Sequence, residues 1–530
     1  MGSRYLTKCE VDYAGTLFAG TIGMSNVAKI EYERLYAHLT SLLDVDPHEA
    51  IRLANEIEHQ HPEFLNLQAS ILCDAAISAG DISAAKRAVE IFGQLREKYP
   101  SRQDYAYNLA NALTSQTSLN DRSAPRWHGR TRVLRAQART LYLSAGHLQV
   151  TGQTCQAAQA LCNLGNNLDS AYRWVEAFDC YCEALQIDPS HGVASGAAAL
   201  MLHRIANLNI HGHQGYLRSR AAKFAHHAQA NSEHVAALAG ASANASFAKL
   251  PAADIKFDAA LQPSAYQRFV VENRLMLSPV PDGEPHHEER WDDIHIASLS
   301  SILNTKVPEL FAMFNVVKAD FLLARELLFE ATYQGDNEVE TGTYIDTLDY
   351  ATYGLCSARL VLAQRSTFDI LDKLAVALNR YLNLGLPNRA VHFRSFADTT
   401  ALDKHIQQNN FGVLALRELS YDLCELHRVE VGPIANKQLR NVRNQATHAF
   451  TVLHDFGEPP EVESSDVTHH KFADYQRLAI TTLRMAKAAI IYAIDAIALN
   501  ERQKPKAAME LECFAPNHHD IRVKPPRRPR

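Results

Sequence analysis

The chain has 530 residues, with 53 Lys or Arg against 59 Asp or Glu and a formal net charge of −6. Hydrophobic residues make up 47% and charged residues 21%, the balance of a folded chain with length for about three domains, or for two domains and an extended repeat region. This excludes an intrinsically disordered chain, a collagen, a small disulfide scaffold and a dominating basic field, while a local basic cleft for RNA stays open.

The N-terminal stretch MGSRYLTKCEVDYAGTLFAG has no basic segment leading into a long apolar core, so it does not read as a secretory signal. Leu6 stands where a myristoylation pattern needs Ser or Thr. The nine cysteines (Cys9, Cys73, Cys155, Cys162, Cys180, Cys182, Cys356, Cys424 and Cys513) form no C-x-x-C pair, and most fall in apolar helical patterns. That usage fits a reducing compartment, and the expected location is the cytoplasm.

Residues 1–27 read as an N-terminal extension. Beyond them nearly every long segment carries apolar residues at three-to-four spacing, which predicts an all-α chain. From Ala158 to His191 the positions Leu161, Leu164, Gly165, Ala177, Tyr181, Ala184 and Pro189 set a register. Leu72, Ala76, Ala88, Phe92 and Pro100 repeat it over residues 69–102, and Ala50, Ala54 and Pro62 give a weaker copy. Further helix pairs are expected over 103–150, around a polar segment from Ser115 to Gly129, and from Ser195 to about Ala230. The register resembles the tetratricopeptide (TPR) repeat, with departures at Leu161 and Leu168, and it implies four to six repeats over residues 28–240. Such a stack offers a concave groove to a protein or peptide partner.

Residues 241–300 read as a connecting segment and the start of a second domain, with a turn-rich, charged run from Pro279 to Arg290. Over 301–500 the expected helices are Val307–Phe329, Thr343–Gln364, Thr367–Leu384, Leu414–Leu426, Gly432–Leu453 and His469–Asn500. The apolar stretch Met485–Leu499 carries Lys487 and Asp495 and is too short to cross a bilayer, so it reads as a buried bundle helix and no membrane is expected. Residues 501–530 form a basic, proline-rich tail.

The segment most suggestive of chemistry is Gln438-Leu-Arg-Asn-Val-Arg-Asn-Gln-Ala-Thr-His-Ala-Phe450. On a helix, Asn444 and His448 share a face, and the long Arg443 stem can swing toward it. A histidine can move a proton near neutral pH, and a permanently charged guanidinium can stabilise a phosphorane-like transition state, so the trio suits phosphodiester cleavage. The same residues occur on solvated helix faces.

Arg443-Asn444-Gln445-Ala446-Thr447-His448 resembles the R-N-x-x-x-H signature of the HEPN superfamily. Further segments resemble one HEPN subfamily found behind helical repeats. They are Phe314 to Arg325 with Asn315 and Lys318, then Thr367 to Ala375 with Asn379 and Tyr381, and an opening segment with Tyr266, Glu272, Asn273, Leu275 and Pro279. The fold class this implies is all-α, with N-terminal TPR-like superhelical repeats and a C-terminal HEPN-like helical bundle. Members often carry an acidic residue before the histidine and a basic one after it; here Thr447 and Ala449 stand there.

The resemblance implies a metal-independent endoribonuclease of defence or toxin type, acting at a composite site between two copies of the chain. Arg443 would hold the scissile phosphate, His448 would transfer the proton, and Asn444 would orient them. Asp372 and Lys373 would support the site or serve only as helix supports. Neither cofactor nor metal is expected. Two other readings stay open: a non-catalytic scaffold whose bundle dimerises or binds RNA, and a bundle that binds a nucleotide. His286-His287-Glu288-Glu289, His226-His227, His469-His470 and His518-His519 read as isolated from any second cluster of ligands. Walker, dinucleotide, zincin and esterase motifs are missing from the sequence.

Overall fold

The computed structural model describes residues 24–120, 127–146, 154–210, 213–254, 264–278, 292–301, 309–333, 342–424, 450–456, 466–504 and 509–512. The fold is all-α in class, with a few short strands. The chain divides into two compact units, one formed mainly by Met1–Arg204 and Arg218–Ile255, the other mainly by Lys256–His427 and Ile434–Arg530.

The first unit begins with α1 (Asn26–Leu42), α2 (Pro47–Asn55), α3 (Pro62–Ala79), α4 (Ile82–Lys98) and α5 (Gln103–Ser118). It continues through α6 (Trp127–Gly146), α7 (Thr154–Ser170), α8 (Trp174–Ile187), α9 (Gly192–Leu208), α10 (Gln214–Ala230) and α11 (Ser232–Phe247). From α1 to α8, each helix packs against the next. Local chemistry sets the turns. Gly80 ends α3 at φ 70°, a left-handed conformation costly for residues with a Cβ, and the Asp81 carboxylate then accepts the Ser83 N–H at 2.8 Å to start α4. Asp46 with Pro47 starts α2 in the same way. Small residues allow close approach: a Cβ at Gly165 on α7 would stand 2.5 Å from the Tyr181 ring on α8.

Between these helices runs a buried polar ladder. Asn108 on α5 donates to Asn66 on α3 at 3.0 Å. The Asn111 side-chain oxygen accepts both the Tyr142 hydroxyl at 2.7 Å and the Asn163 amide at 3.0 Å, joining α5, α6 and α7. Arg139 on α6 donates to Asn167 on α7 at 3.1 Å. Buried amides need partners, so each rung fixes one helix against another.

In the second unit, α12 (Ala265–Glu272) leads to β1 (Ser298–Ser301), α13 (Glu309–Tyr333), β2 (Ala351–Thr352) and α14 (Leu355–Tyr381). Then come α15 (Phe393–Asp398), α16 (Asp403–Gln407), α17 (Phe411–Cys424), β3 (Phe450–His454), β4 (Val467–Lys471), α18 (Phe472–Gln503) and β5 (Met509–Glu512). α13, α14 and α18 pack on one another, and α17 packs on α18. Residues 486–497 of α18 are buried throughout, as expected for a bundle helix, and the Lys487 ammonium donates to the Arg274 carbonyl at 2.7 Å. Among the described residues no helix is long and apolar enough to cross a membrane.

Three expectations for this unit need correction. The helices expected over Thr343–Gln364 and Thr367–Leu384 are one, α14, because Arg365-Ser366 contains no breaker and Ser366 bonds back to the Leu362 carbonyl. Residues 342–350 stay outside it, with Leu348 and Tyr350 at φ 56° and 59°. The helix expected over Gly432–Leu453 does not reach its last residues: Phe450–His454 is a strand, rich in aromatic and β-branched side chains and paired in parallel with Val467–Lys471. The helix expected from His469 starts at Phe472 for the same reason. The run from Pro279 to Arg290 and the tail beyond residue 512 lie outside the described residues.

Two predictions test this packing. A Cβ at Gly412 on α17 would stand 2.5 Å from the Tyr492 carbonyl oxygen and closer still to the Ala496 nitrogen, both backbone atoms of α18. Gly412→Ala should therefore destabilise the second unit by about 2 kcal/mol or more in urea unfolding. In the first unit, burial next to the His234 ring pushes His191 down to about 4. His191 is neutral when folded and takes up a proton near pH 6.5 when unfolded, so its contribution is complete above pH 6.5 and fades as pH falls toward 4. The loss should be on the order of 3 kcal/mol, and His191→Gln should flatten the stability profile over that window.

Candidate functional site

Arg443, Asn444 and His448 lie outside the described residues. Asp372 and Lys373 sit side by side on α14. The Asp372 carboxylate accepts the backbone N–H of Phe393, the first residue of α15, at 2.7 Å. Lys373 donates to Asp320 on α13 at 2.6 Å, in a partly exposed ion pair. Both line an open depression of about 560 Å³ with Ala312, Met313, Val316, Asp369 and Val376. Each residue ties α14 to a neighbouring element.

The segments that resemble a HEPN subfamily meet through specific polar contacts. Arg325 on α13 is 4% exposed and forms two 2.8 Å hydrogen bonds to the Asp292 carboxylate. Its other donors reach the Tyr266 hydroxyl at 2.9 Å and the Leu275 carbonyl at 3.0 Å. Asn379 near the end of α14 exchanges two hydrogen bonds with the backbone of Leu386. Tyr381 donates to Glu501 at 2.6 Å and accepts from Asn500 at 3.0 Å; burial, then the Glu501 carboxylate, raises its phenol above the ordinary range. These residues hold the bundle together.

A cluster not expected from the sequence lies on the three-stranded sheet β2–β3–β4. The parallel register pairs Val452 with His469 and His454 with Lys471, so His454 and His469 lie diagonally on one face. β2 runs antiparallel to β3 and pairs Ala351 with His454, which brings Asp349 to the end of the same strand. The His454 ring is buried, with Nδ1 at 3.0 Å from the Asp349 carbonyl oxygen and Nε2 at 2.9 Å from His469 Nδ1. A carbonyl only accepts, so Nδ1 carries the proton and Nε2 presents its lone pair. The Thr347 hydroxyl donates to the Asp349 carboxylate at 2.5 Å and holds it below the usual carboxylate range against a burial penalty.

His469, which reads as isolated in the sequence, is therefore not isolated. Asp349, His454 and His469 place one ligand-type atom each within 4.8 Å of the others. The pairing of Phe450-Thr-Val-Leu-His with Val467-Thr-His-His-Lys was the available signal, and a helical reading of both segments hid it.

Residues 303–500 match the family model of the LA2681-like HEPN domain. That span contains the Arg443–His448 segment and the Asp349, His454 and His469 cluster. The family likeness suggests a nuclease or RNA-binding role for this part of the chain. No curated protein matches the chain.

Arg325 is a buried charge whose partners all come from outside its own helix. Arg325→Ala strands Asp292 and the Tyr266 hydroxyl, and it should cost about 3 kcal/mol or more in urea unfolding. Arg325→Lys should recover only part, because an ammonium cannot reproduce the bidentate fork.

Proposed function

We propose that the chain is a metal-independent endoribonuclease of defence or toxin type, with Arg443 and His448 as its catalytic residues. The observation that carries this reading is the R-N-x-x-x-H segment, Arg443 to His448, inside the residues that match a HEPN family. In the proposed reaction the ribose 2′-oxygen attacks the adjacent phosphorus and the bond from phosphorus to the 5′-oxygen breaks. His448 moves the proton, leaving a 2′,3′-cyclic phosphate and a 5′-hydroxyl. Arg443 offsets the charge that gathers on the phosphoryl oxygens. Asn444 orients the histidine or the phosphate, and two copies of the chain contribute to one site.

Asp372 and Lys373 support the site indirectly in this reading, through their links from α14 to α15 and α13. Residues 28–240 act as a TPR-like surface that senses or binds a protein or peptide partner. Gly165 against Tyr181 and Gly80-Asp81 at a helix turn support the repeat reading. Residues 241–300 connect this region to the catalytic bundle at 301–500, 1–27 and 501–530 are extensions, and the working compartment is the cytoplasm. Thr447 and Ala449, which depart from the common pattern, favour a second reading in which the bundle binds RNA or a nucleotide without cutting.

Purified full-length protein should cleave unstructured RNA in EDTA, at a temperature where the chain remains folded. Arg443→Ala and His448→Ala should each reduce the rate by about 100-fold or more. Cleavage that disappears with chelator while the chain stays folded would sink the metal-free mechanism. RNA binding without cleavage would favour the second reading.

A further inference from the structure

We propose that Asp349, His454 and His469 form a binding site for a divalent first-row transition-metal ion. It uses none of the residues of the Arg443–His448 motif and does not depend on the ribonuclease reading. Two imidazoles and one carboxylate are the ligand set that such ions favour, and three protein ligands leave positions for water. The cluster comes from three elements that the sheet register brings together, rather than from one acidic loop.

The second observation is the orientation of His454. Its Nδ1–H is spent on the Asp349 carbonyl at 3.0 Å, which fixes the tautomer and aims the Nε2 lone pair at His469 Nδ1. A metal-bound histidine commonly has its outer N–H held in this way. The ring is 2% exposed, so it is oriented before any ion arrives.

The two ring nitrogens stand 2.9 Å apart. At a metal–nitrogen distance of about 2.1 Å they subtend about 90°, the angle of neighbouring ligands in a six-coordinate ion, and opening by about half an ångström gives the tetrahedral angle. Uptake of the ion needs the proton between the rings to move from His469 Nδ1 to its Nε2 through solvent, and the rings to turn so that both lone pairs meet at the ion. Asp349, a partly exposed residue, closes the set with its carboxylate. A bound ion would tie the loop at 342–350 to β3 and β4.

The test uses the full-length chain, stripped with chelator and titrated with zinc in a calorimeter, and with cobalt(II) for its visible absorption. The chain has 25 histidines, so the site is read as the difference between wild type and variants. Wild type should take up one equivalent more than Asp349→Asn and His469→Gln. Alternatively, the variants should bind that equivalent more weakly than the roughly 10–100-fold that a changed outer partner costs. Zinc should raise the melting temperature of wild type and leave both variants unmoved. Should His469→Gln fail to fold, Asp349→Asn at the partly exposed position decides alone. Wild type without saturable binding, or variants that bind with unchanged stoichiometry and affinity, would overturn the proposal. None of these readouts involves RNA, so failure here is distinct from failure of the ribonuclease reading.

Discussion

A guanidinium cannot shed its charge inside a protein, so a buried arginine dictates what surrounds it. Arg325 leaves 5% of its side chain accessible and is met by Asp292, Tyr266 and Leu275, all supplied by the chain before α13. That requirement pins Tyr266, Leu275 and Asp292 against α13. The pinned segment offers its own carbonyls in return: Arg274 accepts from Lys487 and Asn273 accepts from Arg484, both on α18. One desolvated charge thus determines where the opening segment lies and how the long C-terminal helix is gripped.

The two units solve the burial problem differently. In the second, α18 buries every residue from Ala486 to Ile497, and the bare backbone at Gly412 lets α17 lie close against it. Apolar burial without direction contributes stability but little choice of register. In the first, the Asn66–Asn108 and Asn111–Tyr142–Asn163 contacts add direction. Each rung adds little net stability yet makes a slipped register costly, since a shift would leave a buried amide without a partner.

What the sequence discloses follows from which forces act locally. Helical spacing is local, so the helices over 69–102 and around Gly165 were legible, as was Met485–Leu499 as a buried helix, whereas the Gly80-Asp81 turn was not read. The asparagine ladder was not, because Asn108 and Asn163 look like solvent-facing residues until their partners are known. The strands at 450–454 and 467–471 were missed because a five-residue strand gains its hydrogen bonds only from a partner distant in the chain. Missing them hid the meeting of His454 with His469. For the Arg443 and His448 pair, only the motif is available, as the described residues stop short of it.

The strand at 450–454 also bears on how such a motif can work. Catalytic groups act through fixed distances, and a segment is held best when a rigid element adjoins it. Phe450 lies two residues after His448, and its N–H donates to the Asp466 carbonyl at 2.7 Å as the pairing with β4 begins. At the far end of the strand, His454 is clamped between the Asp349 carbonyl and the His469 ring. The strand is thus held at both ends by groups that are neither arginine nor histidine of the motif. A change at His469 or Asp349 acts first on this strand, which follows the motif directly in sequence.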